Sequence, residues 1–338
     1  MNKNLIAASL LAAGLGLAQG ASAQVVLTAS SWVPPSHLLS QAQATWCEDV
    51  AKATENRVSC KILPKPVVPA PQTFDAVRDG LVDLAFSVHG YTPGRYKLTQ
   101  MAELPFLGDS AIATSVAYER IYRKYLQKFD EHRGLKVLNV FTHGPGMMFN
   151  VKHPITKIAD FDGLKIRVGG GMVNEVAKAM EVNATLKPAP QSYELLSSGV
   201  MDGVFFPAEA VKSFKLEKLI KFRTEVPGGL YNTSFAFVMN PDTWDRIPRK
   251  DQEIIEKLSG EAAAAHYGKF WEEDDRRSLA LQQAEGIQGI TASDAFVAEI
   301  KAKTAGLENA WIETAQKEGL KNAKQVLEEF RKEIAALQ

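Results

Sequence analysis

Asp160-Phe-Asp-Gly-Leu-Lys-Ile-Arg-Val-Gly-Gly170 is the stretch from which the architecture is read. Leu164, Ile166 and Val168 alternate with Lys165 and Arg167, the pattern of a short strand with one apolar face. Gly169 to Gly171 follow, and a helical pattern opens at Met172. Strand, glycines, helix is the repeating unit of an α/β fold, in which ligands bind outside the carboxyl ends of strands. Arg167 stands at such an end. A guanidinium there presents two parallel donors that fit a carboxylate. The competing reading is an internal ion pair with Asp160, Asp162 or Glu175, or plain exposure. The glycines lack both G-x-G-x-x-G and G-K-[ST] spacing. They read as room for a close backbone approach, to a ligand or to a neighbouring lobe, rather than as a phosphate loop.

Upstream, Val25 to Ala29 reads as a strand, His37 to Thr54 as a helix, Arg57 to Leu63 as a strand and Thr73 to Asp79 as a helix. Leu81 to Val88 is the next strand, Ser110 to Asp130 is helical, and Leu135 to Thr142 is a strand. That order implies a mainly parallel sheet flanked by helices. His143 to Asn150 ("HGPGMMFN") interrupts the pattern and opens a second set of units, through the strand near Thr185, the helix near Tyr193 and "GVFF". Ser234 to Asn240 ("SFAFVMN") is a strand with no partner nearby in sequence, as if the chain returns to its first sheet. Arg249 to Gly286 is helical almost without break, and so is the tail from Ser293. We expect an α/β fold of two lobes, each a sheet flanked by helices, joined by several crossings and a long hinge-spanning helix. The lobes are assigned as 24–144 with 233–271, and 145–232 with 272–338.

The 338 residues carry 39 basic and 39 acidic side chains, a balance that argues against a generic nucleic-acid binder. Residues 1–23 hold Lys3, an apolar run from Leu5 to Ala18, and Ala21-Ser22-Ala23 before Gln24, the form of a cleaved export signal. No later stretch is long and apolar enough to span a bilayer. The protein is therefore expected in the periplasm and not embedded in a membrane. In that compartment its two cysteines, Cys47 and Cys60, read as one disulfide linking a helix to the following strand.

Enzyme signatures are missing. The six histidines make no metal-binding cluster, and no G-x-S-x-G elbow occurs. We expect neither catalysis, nor a metal, nor a cofactor. Trp32, His89 and Tyr91 follow the first-lobe strands and are candidate cleft walls, with core packing as the alternative for each.

Three segments, "ADFDGLKIRV", "YELLSSGVMDGVFFP" and "FAFVMNPDTWDRIP" before a very long helix, carry a family likeness. "SSWVPPSH", "FDAVRDGLVDLAFSV" and "MAELPFLGDS" extend it through the first half. In this order the set resembles the substrate-binding proteins of TRAP (tripartite ATP-independent periplasmic) transporters. The resemblance implies a periplasmic receptor that captures a small organic acid and delivers it to TRAP membrane permease subunits. It also implies that Arg167, in the G-L-K-x-R motif, pairs with the ligand carboxylate. Two departures bear on the ligand. Phe206 stands where many acidic-sugar receptors have asparagine, and Met147 where some have a second arginine. Both exchanges favour a monocarboxylate with an apolar or aromatic body, with a small cyclic or lactate-like acid as second choice. Phe149 and Asn232 complete the candidate walls, Tyr231 being the substitute for Asn232. Arg167 is then expected to be the one strong charge that the ligand meets. The rival functions are a binding protein of an ATP-driven importer, a ligand-sensing protein, and a periplasmic enzyme.

Overall fold

A computed structural model describes residues 24–338; the export-signal assignment falls on residues 1–23 and lies outside them. Eleven strands run in chain order: β1 (Val25–Ser30), β2 (Val58–Ile62), β3 (Leu84–Val88), β4 (Lys136–Thr142), β5 (Met147–Asn150), β6 (Ile166–Val168), β7 (Ala184–Leu186), β8 (Gly203–Phe206), β9 (Phe222–Glu225), β10 (Ser234–Met239) and β11 (Gln288–Thr291). They form two sheets, ordered β2-β1-β3-β10-β4 and β11-β9-β5-β8-β6-β7, with helices packed around them.

The sheets are mixed rather than mainly parallel. β10 inserts antiparallel between β3 and β4, and β5 inserts antiparallel between β9 and β8. These two strands are where the chain changes sheet. β4 runs directly into β5, and β9 returns to β10. The two connections lie side by side: His143 N–H donates to Thr233 O, and Gly146 N–H donates to Tyr231 O. Two hydrogen-bonded crossings make a ribbon that bends more easily than it shears.

The long helix is the third connection. It spans Gly260–Ala284, separated from the helix Arg249–Lys257 by Leu258 and Ser259, so the helical run expected to Gly286 has one break. At one end Tyr267 stacks on Phe141 of β4. Three turns on, Ser278 Oγ and Gln282 Nε2 both donate to Ala208 O beside β8. One helix thus touches both sheets.

Cys47 in the helix Leu38–Ala53 is bonded to Cys60 on β2, with Cα atoms 5.7 Å apart. A loop of this size contributes about 3 kcal/mol by restricting the unfolded chain. Replacing both cysteines by alanine should lower stability by about that amount in urea titration, with ligand affinity unchanged because neither side chain reaches the cavity described next.

Candidate functional site

The carboxyl ends of β3 and β6 face each other across the two sheets. Between them lies a cavity of about 40 Å³, lined mostly by buried side chains. A more open groove lies on the outer face by Glu119 and Lys136, but its charges already neutralise one another. Arg123 bonds Glu119 and Lys136 bonds Glu256 there.

Arg167 lies in the cavity wall and is 1% exposed. Its Nε donates to Lys187 O at 2.8 Å, which aims the guanidinium, and its Cζ sits 4.3 Å above the Phe206 ring. No carboxylate pairs with it among the described residues; Asp160 instead caps the turn at Thr156, and Glu175 pairs with Lys178. Burial pulls the guanidinium below its usual range, and the Tyr91 and Tyr231 hydroxyls only partly offset that. A Cβ at Gly169 would stand 3.6 Å from Nη2, so the missing side chain keeps the space before the guanidinium free. A buried cation without a counterion is costly unless an anion arrives. A guanidinium so placed is suited to receive a carboxylate.

The other walls are aromatic. Trp32 and Tyr91 meet edge to face at 5.8 Å, and the Tyr91 hydroxyl accepts the Ala189 N–H from across the cavity. Phe206 stacks on Phe214, and Trp271 enters from the middle of the long helix.

Of the eight expected wall residues, Trp32, Tyr91, Arg167 and Phe206 line the cavity, and four do not. His89 and Tyr91 share a single 3-10 turn, His89–Tyr91, which breaks strand alternation and sends them opposite ways. His89 is buried against His132 (Nε2 to Nε2 2.8 Å) and Ser234. Met147 lies beside Phe206 and Phe149 beside Val204, but β5 is one strand further from Arg167, so both pack into the core behind the wall. Asn232 lies between Tyr231 and Thr233, and by alternation those two face the cavity while Asn232 turns back towards His143 O.

Arg167 is also not the one ionisable side chain the cavity contains. His37 and Glu209 line its wall, each side chain 2% exposed. His37 caps the helix Leu38–Ala53, its Nδ1 accepting the Leu39 N–H, so the neutral ring carries its proton on Nε2. Nε2 lies 3.7 Å from Glu209 Oε1, beyond hydrogen-bond range. Burial, with help from Lys212, lowers His37 to about 3, and burial raises Glu209 well above the usual carboxylate range. The two are therefore neighbours and not an ion pair. Sequence reasoning passed over both because a cap residue and an acid at a helix start have ordinary structural roles.

His37 makes the stability of the fold depend on pH. Above pH 6.5 the ring is neutral in folded and unfolded chains alike. As pH falls from 6.5 towards 3 the unfolded chain takes up a proton that the folded one refuses, so stability is lost. His37→Asn keeps a capping oxygen and removes the titration. Its melting temperature relative to the parent should rise steadily as pH drops from 6.5 to 4.

Two sheets closed over a buried, unpaired guanidinium and aromatic walls define a binding protein for a small organic anion. The chain belongs to the bacterial extracellular solute-binding proteins, family 7, whose pattern it matches over residues 29–317. It is 30% identical to the outer membrane transporter protein TsaT of Comamonas testosteroni, over 99% of this chain and 98% of that one. A TRAP periplasmic solute-binding protein of Bordetella bronchiseptica with bound (R)- and (S)-mandelate is 45% identical. Its TM-score is 0.91, covering 93% of this chain and all of the other. A marine-metagenome TRAP protein specific for aromatic acids, in complex with 3-hydroxybenzoate, is 31% identical with TM-score 0.86, covering 93% and 98%. The protein is a solute receptor of the TRAP type. Among the described residues no helix is long and apolar enough to cross a membrane.

Proposed function

We propose that the protein captures an aromatic monocarboxylate in the periplasm and hands it unchanged to the TRAP permease subunits in the membrane. Arg167 takes the carboxylate and Phe206, Trp32 and Tyr91 enclose the ring. The lobes, taken as 24–144 with 233–271 and 145–232 with 272–338, close over it. The observation that carries this reading is the buried guanidinium with no acidic partner, lying on a phenyl ring. It supplies one full countercharge, so a second carboxylate would be buried without a cation, at several kcal/mol. The Bordetella and metagenome proteins, which hold mandelate and 3-hydroxybenzoate, support the aromatic body. Capture without chemistry accords with the family.

Calorimetry with benzoate, phenylacetate and mandelate against succinate and lactate tests it. The aromatic acids should bind and succinate should not; tighter binding of succinate would reject the reading. Phe206→Asn should weaken the aromatic acids about tenfold by losing ring contact and the guanidinium's seat. An unchanged ligand profile would remove Phe206 from selectivity.

A further inference from the structure

The wall between Arg167 and His37 is continuous. The guanidinium lies on Phe206, Phe206 stacks on Phe214 at 5.7 Å, and Phe214 lies 5.6 Å from the His37 ring. Two phenyl rings therefore separate the cation from the His37–Glu209 pair, which forms a second polar end of the cavity. This end is built, not incidental. Glu209 Oε2 accepts from Ser213 Oγ at 2.6 Å, and Glu209 N–H is held by Asp275 Oδ1 at 2.8 Å. His37 is oriented through Nδ1. That leaves Nε2 and Oε1, 3.7 Å apart, with no hydrogen-bond partner among the described residues. Purely structural polar groups this deeply buried are normally satisfied.

We propose that His37 and Glu209 read a hydroxyl group on the ligand body, so that the preferred ligands are hydroxy-substituted aromatic monocarboxylates. The proposal rests on the carboxylate assignment of Arg167. His37 Nε2–H donates to the hydroxyl oxygen. An ionised Glu209 accepts a hydrogen bond from the hydroxyl through Oε1, and a protonated Glu209 donates one to the hydroxyl oxygen. A hydroxyl completes the pair in either state, whereas a C–H or methyl group completes it in neither. An unsubstituted ring leaves two buried polar atoms unpaired, which is how a site comes to reject an analogue lacking a hydroxyl.

The test is calorimetry on the whole protein with benzoate and phenylacetate and with their 3- and 4-hydroxy derivatives. At least one hydroxy acid should bind about tenfold tighter than its parent. His37→Asn, which keeps the helix cap, and Glu209→Leu, which keeps the volume, should each cancel that advantage, so that the hydroxy acid and its parent bind within about threefold of each other. Because the parent acid is measured in every variant, a misfolded protein is recognised by its loss. If a parent acid binds and no hydroxyl improves it, or if the advantage survives both substitutions, the subsite is overturned alone. If no aromatic acid binds at all, the carboxylate assignment falls and takes the subsite with it.

Discussion

Arg167→Met should abolish binding of every aromatic carboxylate while leaving the unliganded protein at least as stable as the parent. The two halves of that result have one cause. With the sheets closed the guanidinium is 1% exposed, donates to Lys187 O, and faces no carboxylate. Desolvation is then uncompensated, and replacing such a charge by an apolar side chain of similar length is often neutral or stabilising. In the complex the same charge meets its counterion, and removing one partner of a buried, hydrogen-bonded pair costs about 2–5 kcal/mol, on the order of 10²–10³-fold in Kd. Thermal melts show the contrast directly. The parent should gain about 2.7 kcal/mol at a ligand concentration 100 times Kd, and the variant nothing. Affinity within a few-fold of the parent would remove Arg167 from recognition. A large loss of unliganded stability would show that the guanidinium is a structural group satisfied in the empty protein.

The strand that carries Arg167 was legible because its alternation is local. So was the return of the chain at Ser234–Met239, since five buried apolar residues after Ser234 needed a sheet and had no partner strand nearby in sequence. Strand direction was not legible. Nothing in "SFAFVM" or "MMFN" distinguishes antiparallel insertion from parallel addition, because alternation is the same in both. β5 was hidden by the Gly-Pro-Gly before it, which reads as a loop yet serves as the crossing. β9 and β11 were missed because "FRTE" and "QGIT" are short and half-exposed and carry no apolar face of their own.

The cavity divides along the same line. Arg167 and Phe206 are set by their strands, and strand period places them. His89 and Tyr91 were treated alike, but a 3-10 turn has no twofold alternation, and only Tyr91 points inwards. Trp271, His37 and Glu209 arrive from three remote segments. Trp271 sits on the apolar stripe of a long helix, where an aromatic residue signals packing. Only the third crossing of the chain brings that stripe over the cavity.

Gly90→Ala should weaken ligand binding by about ten- to a hundredfold without lowering the melting temperature of the unliganded protein. Gly90 lies in the turn after β3, and Gly170 in the loop after β6, so their contact joins the two sheets across the mouth of the cavity. A Cβ built on Gly90 would lie 2.7 Å from Gly170 C and 2.8 Å from Gly170 O. Both atoms are backbone and cannot swing aside. Gly90 is not among the glycines with positive φ, so alanine adopts its conformation without strain, and the whole effect is steric. Overpacking of this kind costs about 1–3 kcal/mol where it cannot be relieved. Here it can be relieved by parting the sheets along the ribbon of crossings, which opens the cavity to water and leaves each core intact. Closure is what shields the ligand, so the cost falls on the bound state alone and enters chiefly as faster dissociation. Small-angle scattering with saturating ligand should show the variant more extended than the parent, and the two should coincide without ligand. Unchanged affinity would mean that this contact is not part of the bound form. A fall in unliganded stability equal to the loss of affinity would mean that the sheets are already closed before the ligand enters, and that the anion reaches Arg167 by local opening rather than by movement of the lobes.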